Sequence, residues 1–293
     1  MRKPDVLVVY KESAYTRYYS SRQLAGHLKK GNYWKIVQGS HQRHNETLKG
    51  VRETLKGLGI GFKLVLRNQI QLLKRVDETY RLVVSVGGDG TLLDSSHHLL
   101  KIPILGVNSD PLRSVARFSG CDLGTFSRTL TAYLTGKLKP VLVSRLEFFV
   151  NGKRNEWLVL NDLLAATLSP AGTSRYVLKI GAKAEEQMSS GLWISSAAGS
   201  TAAIFSAGGR VMPVDSQKFQ YVVREIYQKK FGPRRLLGGI LPPTQALEVV
   251  SRMKEGRIFV DGTNLVAPFK LGDRLRVGVS NFPLKVIGLK KGV

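Results

Sequence analysis

A single cysteine, Cys121, among 293 residues excludes an internal disulfide and fits a reducing compartment. A lone cysteine also gives no support to covalent catalysis by a thiol. No run of about 18 apolar residues occurs, so no membrane-spanning helix is expected. The stretch MRKPDVLVVY opens with basic residues, but its apolar run is too short for a secretory signal. A cytoplasmic protein is the expectation. None of His27, His41, His44, His97 and His98 stands at H-E-x-x-H or paired-cysteine spacing, so no metal site of the protein's own is expected. Acidic residues are scarce: 21 Asp and Glu against 45 Lys and Arg leave a net charge of +24. Such a balance attracts anions. The basic residues fall in short separate clusters (HLKK, QKKFGPRR, GLKKGV), which argues against a dedicated nucleic-acid arm and leaves a phosphate-rich ligand open.

What is present alternates between strand-like and helix-like patterns at first. Residues 5–10, 62–67, 81–86 and 102–107 read as strands, and 17–30, 44–57, 70–79 and 91–100 as helices, with Leu48, Val51 and Leu55 at helical spacing. That alternation predicts a parallel sheet covered on both faces. GLGIGF, at 57–62, has glycine spacing like a dinucleotide loop but precedes a strand, so it reads as a helix stop and turn. The pattern changes near residue 117, which suggests an α/β domain over 1–117 and a β-rich domain over 118–293. Asn151-Gly152 signals a type I′ hairpin, and Asp261-Gly262, Gly272-Asp273 and Asn281 mark further turns among mostly antiparallel strands. Residues 215–231 read as the one helix of this half.

The most informative stretch is VVSVGGDGTLLDSS, residues 83–96. Glycines after a buried strand let the backbone approach another group closely, and a following helix exposes unpaired N–H groups and the positive end of its dipole. Together they suit an anion, at the sheet edge where α/β proteins bind ligands. Asp89 sits among these glycines. A carboxylate there can hold Mg²⁺ or accept the proton of an attacking hydroxyl, both roles in phosphoryl transfer. The alternative is that Asp89 only caps the helix.

GGDGTLL (87–93) resembles the signature of the NAD kinases, a motif shared with diacylglycerol and sphingosine kinases. Three later segments narrow the resemblance: LNDLL (160–164), SSGLWISSAAGSTAAIFSAGG (189–209) and VDGTNLVAPFKLGDRLRV (260–277). GVNSDPLRS (106–114) is similar to the mitochondrial-type branch. The resemblance implies an α/β domain with a parallel sheet plus a β-rich C-terminal domain, with the active site between them. It implies ATP- and Mg²⁺-dependent phosphorylation of the adenosine-ribose 2′-hydroxyl of NAD(H), in a dimer or tetramer. Asp89 would then be the catalytic carboxylate. Gly88, Gly90, Thr91, Asn161, Asp162, Ser190, Thr201, Ala202 and Ser206 would bind the dinucleotide. Gly87, Arg113 and Arg175, with Arg117 nearby, are the candidate phosphate contacts.

The sequence departs from the family pattern at several positions. Ala203 stands where the family has Tyr, removing an aromatic ring over a base. Ser196-Ala197-Ala198 replaces Thr-Pro-Thr, and Ser190 replaces a common Asp. Two alternatives follow: a lipid kinase sharing the GGDGT loop, or a catalytically weak family member. The lipid kinases usually continue GGDGT-x-N-E, whereas Leu92-Leu93-Asp94-Ser95 follows here.

Overall fold

The computed structural model describes residues 5–19, 31–73, 76–227 and 235–290. They fall into two compact units, one running to Leu142 and joined by Leu284–Lys290, the other spanning Val143–Pro283.

The first unit begins with β1 (Val6–Tyr10), a π-helical turn at Tyr15–Tyr19, α1 (Asn32–Gly57) and β2 (Phe62–Leu66). A 3₁₀ turn at Arg67–Leu72 leads to α2 (Val76–Thr79), β3 (Leu82–Gly87), α3 (Asp89–Ser96) and β4 (Ile104–Asn108). β5 (Ser119–Asp122), α4 (Leu123–Leu134) and β6 (Val141–Val143) follow. The sheet order is β2-β1-β3-β4, then Leu284–Val286, then β6, with β5 pairing β4. β1 pairs parallel with β2 and β3, as the alternating pattern predicts. Val6, Val8, Val84, Val86, Leu105 and Val107 pack with Val51 and Leu55 of α1 and Phe126 and Leu130 of α4. The alternate residues Leu7, Val9 and Val83 are equally buried, so these strands read as continuous apolar runs.

The second unit runs through β7 (Leu146–Val150), β8 (Lys153–Arg154), β9 (Asp162–Thr167), β10 (Ser174–Ile180), β11 (Lys183–Ser189) and β12 (Gly191–Ser196). A 3₁₀ turn at Ala198–Thr201 and α5 (Ala203–Ser206) precede β13 (Phe219–Arg224), β14 (Gly238–Leu241) and β15 (Leu247–Ser251). β16 (Gly256–Val260), β17 (Leu265–Pro268) and β18 (Arg274–Val279) complete it, and β19 (Leu284–Val286) returns to the first unit. Two six-stranded sheets, β11-β10-β15-β18-β7-β8 and β14-β13-β12-β9-β16-β17, share one core. Phe148, Tyr176 and Val249 from one meet Leu192, Ile194 and Phe219 from the other. The hairpin at Asn151-Gly152 has φ of 52° and 80°, the paired positive values a type I′ turn requires.

Several expectations are corrected. The division between units falls after Leu142 rather than 117, because β5 and α4 still build the parallel sheet. Residues 219–224 form β13 between β12 and β14, not a helix; Phe219, Tyr221 and Val223 alternate inward at a strand's period of two. Residues 228–231 of that expected helix lie outside the described residues. The helix expected over 17–30 lies mostly outside them too, and its start belongs to the π-helical turn. The helix over 70–79 is replaced by the 3₁₀ turn and α2, and the one over 91–100 begins earlier, at Asp89. α1 begins at Asn32 instead of 44. Beyond the buried Val37, its first half faces inward through Ser40, Arg43 and His44, so one apolar residue sets no period there. Among the described residues, no helix is long and apolar enough to cross a membrane.

Candidate active site

β3 carries its chain to the C-terminal edge of the parallel sheet and delivers it straight into α3. At Gly87 a Cβ would stand 2.3 Å from Thr91 Oγ1, so glycine is what lets Thr91 fold back against the strand end. Thr91 is buried, which makes its side chain a support for the turn. Gly88 is the N-cap residue, and Gly90 is exposed in the first turn of α3. Asp89 is therefore the first helical residue and not the cap. Its negative charge lies at the favourable end of the helix dipole.

The Asp89 carboxylate is held from outside its own helix. Oδ2 accepts the N–H of Arg117 and Oδ1 that of Phe118, each at 2.9 Å. A carboxylate offers about four acceptor positions, so roughly half remain open for a hydroxyl proton or a cation. Ala116, just before these two donors, has φ of 44°, a left-handed conformation uncommon outside glycine. The side chains of Arg113 and Arg117 are exposed on this same segment. Arg67, which the sequence did not single out, pairs with Asp94 at 2.9 Å. Its Nη1 lies 3.6 Å from where a Cβ on Gly90 would be. Arg67 follows a different strand from the motif, so nothing in the local sequence announces its arrival there.

In the second unit, Asp162 begins β9, directly after Asn161, beside the end of β12 and opposite Ser195. Asp261, in the turn after β16, clamps them: Oδ2 accepts from Leu160 N at 2.8 Å, and Oδ1 from Asn161 N at 2.7 Å and Asp162 N at 3.0 Å. The sequence marks Asp261-Gly262 only as a turn; this clamp depends on tertiary approach. On the other side, the Asn161 carbonyl accepts from Ser196 N and Ser195 Oγ, each at 3.0 Å. Gly199 packs against that carbonyl. Thr201 ends the same 3₁₀ turn, Ala202 links it to α5, and Ser206 is exposed at the end of α5. Thus Asn161, Asp162, Thr201 and Ala202 belong to one sheet edge. Ser190 lies at the opposite end of β12, roughly 15–20 Å along the strand. Arg175, on β10 of the other sheet, contacts Met188 near that far end. One chain does not bring Ser190 and Arg175 to the Asn161 edge.

Burial, and then the negative charge of Asp261, push the Asp162 carboxyl up to about 7. A carboxyl raised in the folded state destabilises the fold progressively from its unfolded value near pH 4 up to about pH 7, and fully above that. Asp162→Asn removes the penalty. The variant is expected to gain up to about 4 kcal/mol at pH 8 and almost nothing at pH 4. Urea unfolding at the two pH values checks this, and a gain independent of pH would contradict it. Cys121 is buried and its thiol is pushed up to about 12, by burial first and then by Asp122, so it is inert as a nucleophile at neutral pH.

A family model described as the ATP-NAD kinase N-terminal domain matches residues 6–138. A probable NADH kinase of Oryza sativa subsp. japonica is 35% identical over 267 residues, covering 83% of this chain and 81% of that protein. The chain belongs to the NAD kinase family. It is thus an enzyme of the phosphotransferase class with an alcohol acceptor. A second family member, an NADH kinase of Arabidopsis thaliana, is 33% identical over 277 residues, covering 85% of this chain and 84% of its own. Two solved family structures share the two-domain fold. An NAD kinase from Archaeoglobus fulgidus in complex with ATP gives a TM-score of 0.67 at 19% identity, covering 97% of this chain and 94% of that one. Yeast NADH kinase complexed with NADH gives 0.69 at 14%, covering 99% and 85%.

Proposed function

We propose that this enzyme transfers the γ-phosphoryl group of ATP to the 2′-hydroxyl of the adenosine ribose of NAD(H), giving NADP(H). The observation that carries the reading is the Asp89 carboxylate. It is fixed by two backbone N–H groups at the start of α3, with acceptor positions still open. Asp89 accepts the hydroxyl proton as the new oxygen–phosphorus bond forms and the bond to the leaving ADP breaks. Proton removal is late in such a loose transition state, so the placement of the acceptor counts for more than its strength as a base. Asn161 and Asp162, held by Asp261, hydrogen-bond the ribose and its neighbours, and Thr201 and Ala202 line the base. Arg113 and Arg117 are the candidate partners for phosphate oxygens.

Among the described residues, no group of three or more His, Cys, Asp or Glu could hold a metal ion. The open acceptor positions of Asp89 fit Mg²⁺ carried by the nucleotide, since this ion is usually bound through phosphates and one or two carboxylates. When bound, the ion neutralises charge developing between the β- and γ-phosphates.

The two long relatives bear the name NADH kinase, which makes the reduced dinucleotide the first acceptor to test and favours a dinucleotide over a lipid. The test is phosphorylation of NADH and of NAD by ATP and Mg²⁺, read as NADPH and NADP by a dehydrogenase-coupled assay. Turnover with either acceptor supports the reading. No product with both would sink it and return the lipid acceptors to consideration.

A further inference from the structure

The two N–H groups that hold Asp89 belong to a segment, residues 108–118, anchored on its other side by α1. Asp110 is buried, and its Oδ1 accepts from Arg43 Nε and its Oδ2 from Ser40 Oγ, both at 2.6 Å. One turn on, His44 is buried between Ser109 Oγ and the Lys11 carbonyl, each at 2.9 Å. A carbonyl only accepts, so Nε2–H donates to Lys11 and Nδ1 accepts from the Ser109 hydroxyl. Burial and the neighbouring Lys11 push this imidazole down to about 4, so it stays neutral in that tautomer at pH 7. α1 thus grips Ser109 and Asp110 together.

From there the connection runs inward without a gap. Ser109 N donates to Gly87 O at 3.0 Å, tying the segment to the end of β3. Asp110 N donates to Asn108 Oδ1 at 3.0 Å, and Asn108 Nδ2 to Ser114 O at 2.9 Å. The Asp110 carbonyl accepts from Arg113 N at 3.0 Å and Ser114 N at 2.9 Å. Left-handed Ala116 then turns the backbone so that Arg117 and Phe118 donate to Asp89. Burial alone would raise the Asp110 carboxyl. The bonds from Arg43 and Ser40 outweigh it and hold the group below the usual carboxylate range, ionised. Removing Arg43 leaves the buried Asp110 charge with the Ser40 bond and the nearby Lys11 alone, and the segment is expected to shift so that water can reach it.

We propose that Arg43 is a positioning residue for Asp89, acting through Asp110 and the segment that ends at Phe118. This rests on the reading of Asp89 as the base for the dinucleotide hydroxyl. Arg43 touches no reacting atom. Its effect is on where the Asp89 oxygens point, and a misplacement of about 1 Å at a reacting group is enough for a 10²-fold loss.

The test is Arg43→Met, which keeps the aliphatic stem, made alone and in the Asp89→Asn background, with Arg43→Lys as the conservative variant. Alone, Arg43→Met is expected to lower kcat 10- to 100-fold with the dinucleotide KM changed less than about threefold, and Arg43→Lys to recover most of the loss. In the Asp89→Asn background the same change is expected to lower kcat less than about twofold, because there is no base left to position. Equal losses in both backgrounds, or a loss confined to KM, overturn the proposal. Amide exchange reads the proposal without any reaction. Exchange at Arg117 and Phe118 should quicken at least tenfold in Arg43→Met while β3 amides keep their wild-type rates. Unchanged exchange at those two amides overturns the proposal whatever the acceptor. If wild-type protein phosphorylates neither NAD nor NADH, the functional reading fails by itself and the exchange arm decides this one. Should Arg43→Met not fold, Ser40→Ala removes the other bond to Asp110 and is expected to move the same amides and kcat in the same direction.

Discussion

Asp89→Asn is expected to lower turnover of the dinucleotide by 10²–10⁴-fold, the usual contribution of a positioned general base. An amide has the carboxylate's shape but almost no basicity, so on the proposed role of Asp89 the acceptor hydroxyl would have nowhere to pass its proton. The environment adds a second effect. Both carboxylate oxygens accept backbone N–H groups, from Arg117 and Phe118. The amide can accept only one of them, and its NH₂ faces the other donor. That mismatch weakens the hold on residues 117 and 118, and because the bond from Arg117 is exposed, water offsets part of the loss. Steady-state kinetics and a thermal melt together separate the two effects. Loss of the base lowers kcat at an unchanged melting temperature, whereas disturbance of the segment would lower the melting temperature as well. A variant retaining more than a tenth of wild-type kcat would remove Asp89 from the chemistry.

Gly199→Ala should disable the second unit's part in binding while leaving Asp89 untouched. An added Cβ would stand 2.1 Å from the Asn161 carbonyl oxygen and 2.4 Å from its carbon. These are backbone atoms, pinned by the bonds from Ser195 and Ser196 and by the Asp261 clamp behind them. No rotamer change relieves the clash, so the start of β9 must shift. A stability loss of about 1–3 kcal/mol is expected, the range for overpacking a well-filled interior. The dinucleotide KM should rise at least tenfold, because Asn161 and Asp162 move together. Thermal melts and KM values check both halves. A variant with wild-type KM would show that the Asn161 edge takes no part in binding.

The elements that read correctly from sequence are those whose local pattern and tertiary role agree. β1 and β3 are buried on both faces, and their runs, apolar but for Ser85 and the closing Gly87, say so. The Asn151-Gly152 hairpin needs two positive φ values, which those residues supply. The misreadings have tertiary causes. β13 carries Gln220 buried at a position where a strand's alternation would put a surface residue. Its Oε1 and Nε2 bond the backbone of Arg210, a partner no local pattern reveals. The first half of α1 is held by polar contacts to Asp110 and Ser109, so hydrophobic periodicity cannot find it. In the candidate site, the motif residues stand out in the sequence because they are local. Their supports, the backbone of residues 117–118 for Asp89 and the side chain of Asp261 for Asn161, arrive from distant parts of the chain.

β19 has a consequence for how the protein is made on the ribosome. Leu284–Val286 fills the place between β4 and β6, and at Gly120 a Cβ would stand 2.1 Å from the Ile287 carbonyl. The slot left for it is narrow and apolar, with Leu284, Val286 and Ile287 all buried. During synthesis the first 142 residues emerge long before the strand that closes their sheet. At 5–20 residues per second, the gap between Leu142 and Ile287 lasts on the order of ten seconds. Through that interval the edges of β4 and β6 stay open to other strands. The nascent chain therefore passes through a window in which a chaperone, or a neighbouring polypeptide, can occupy the place reserved for β19.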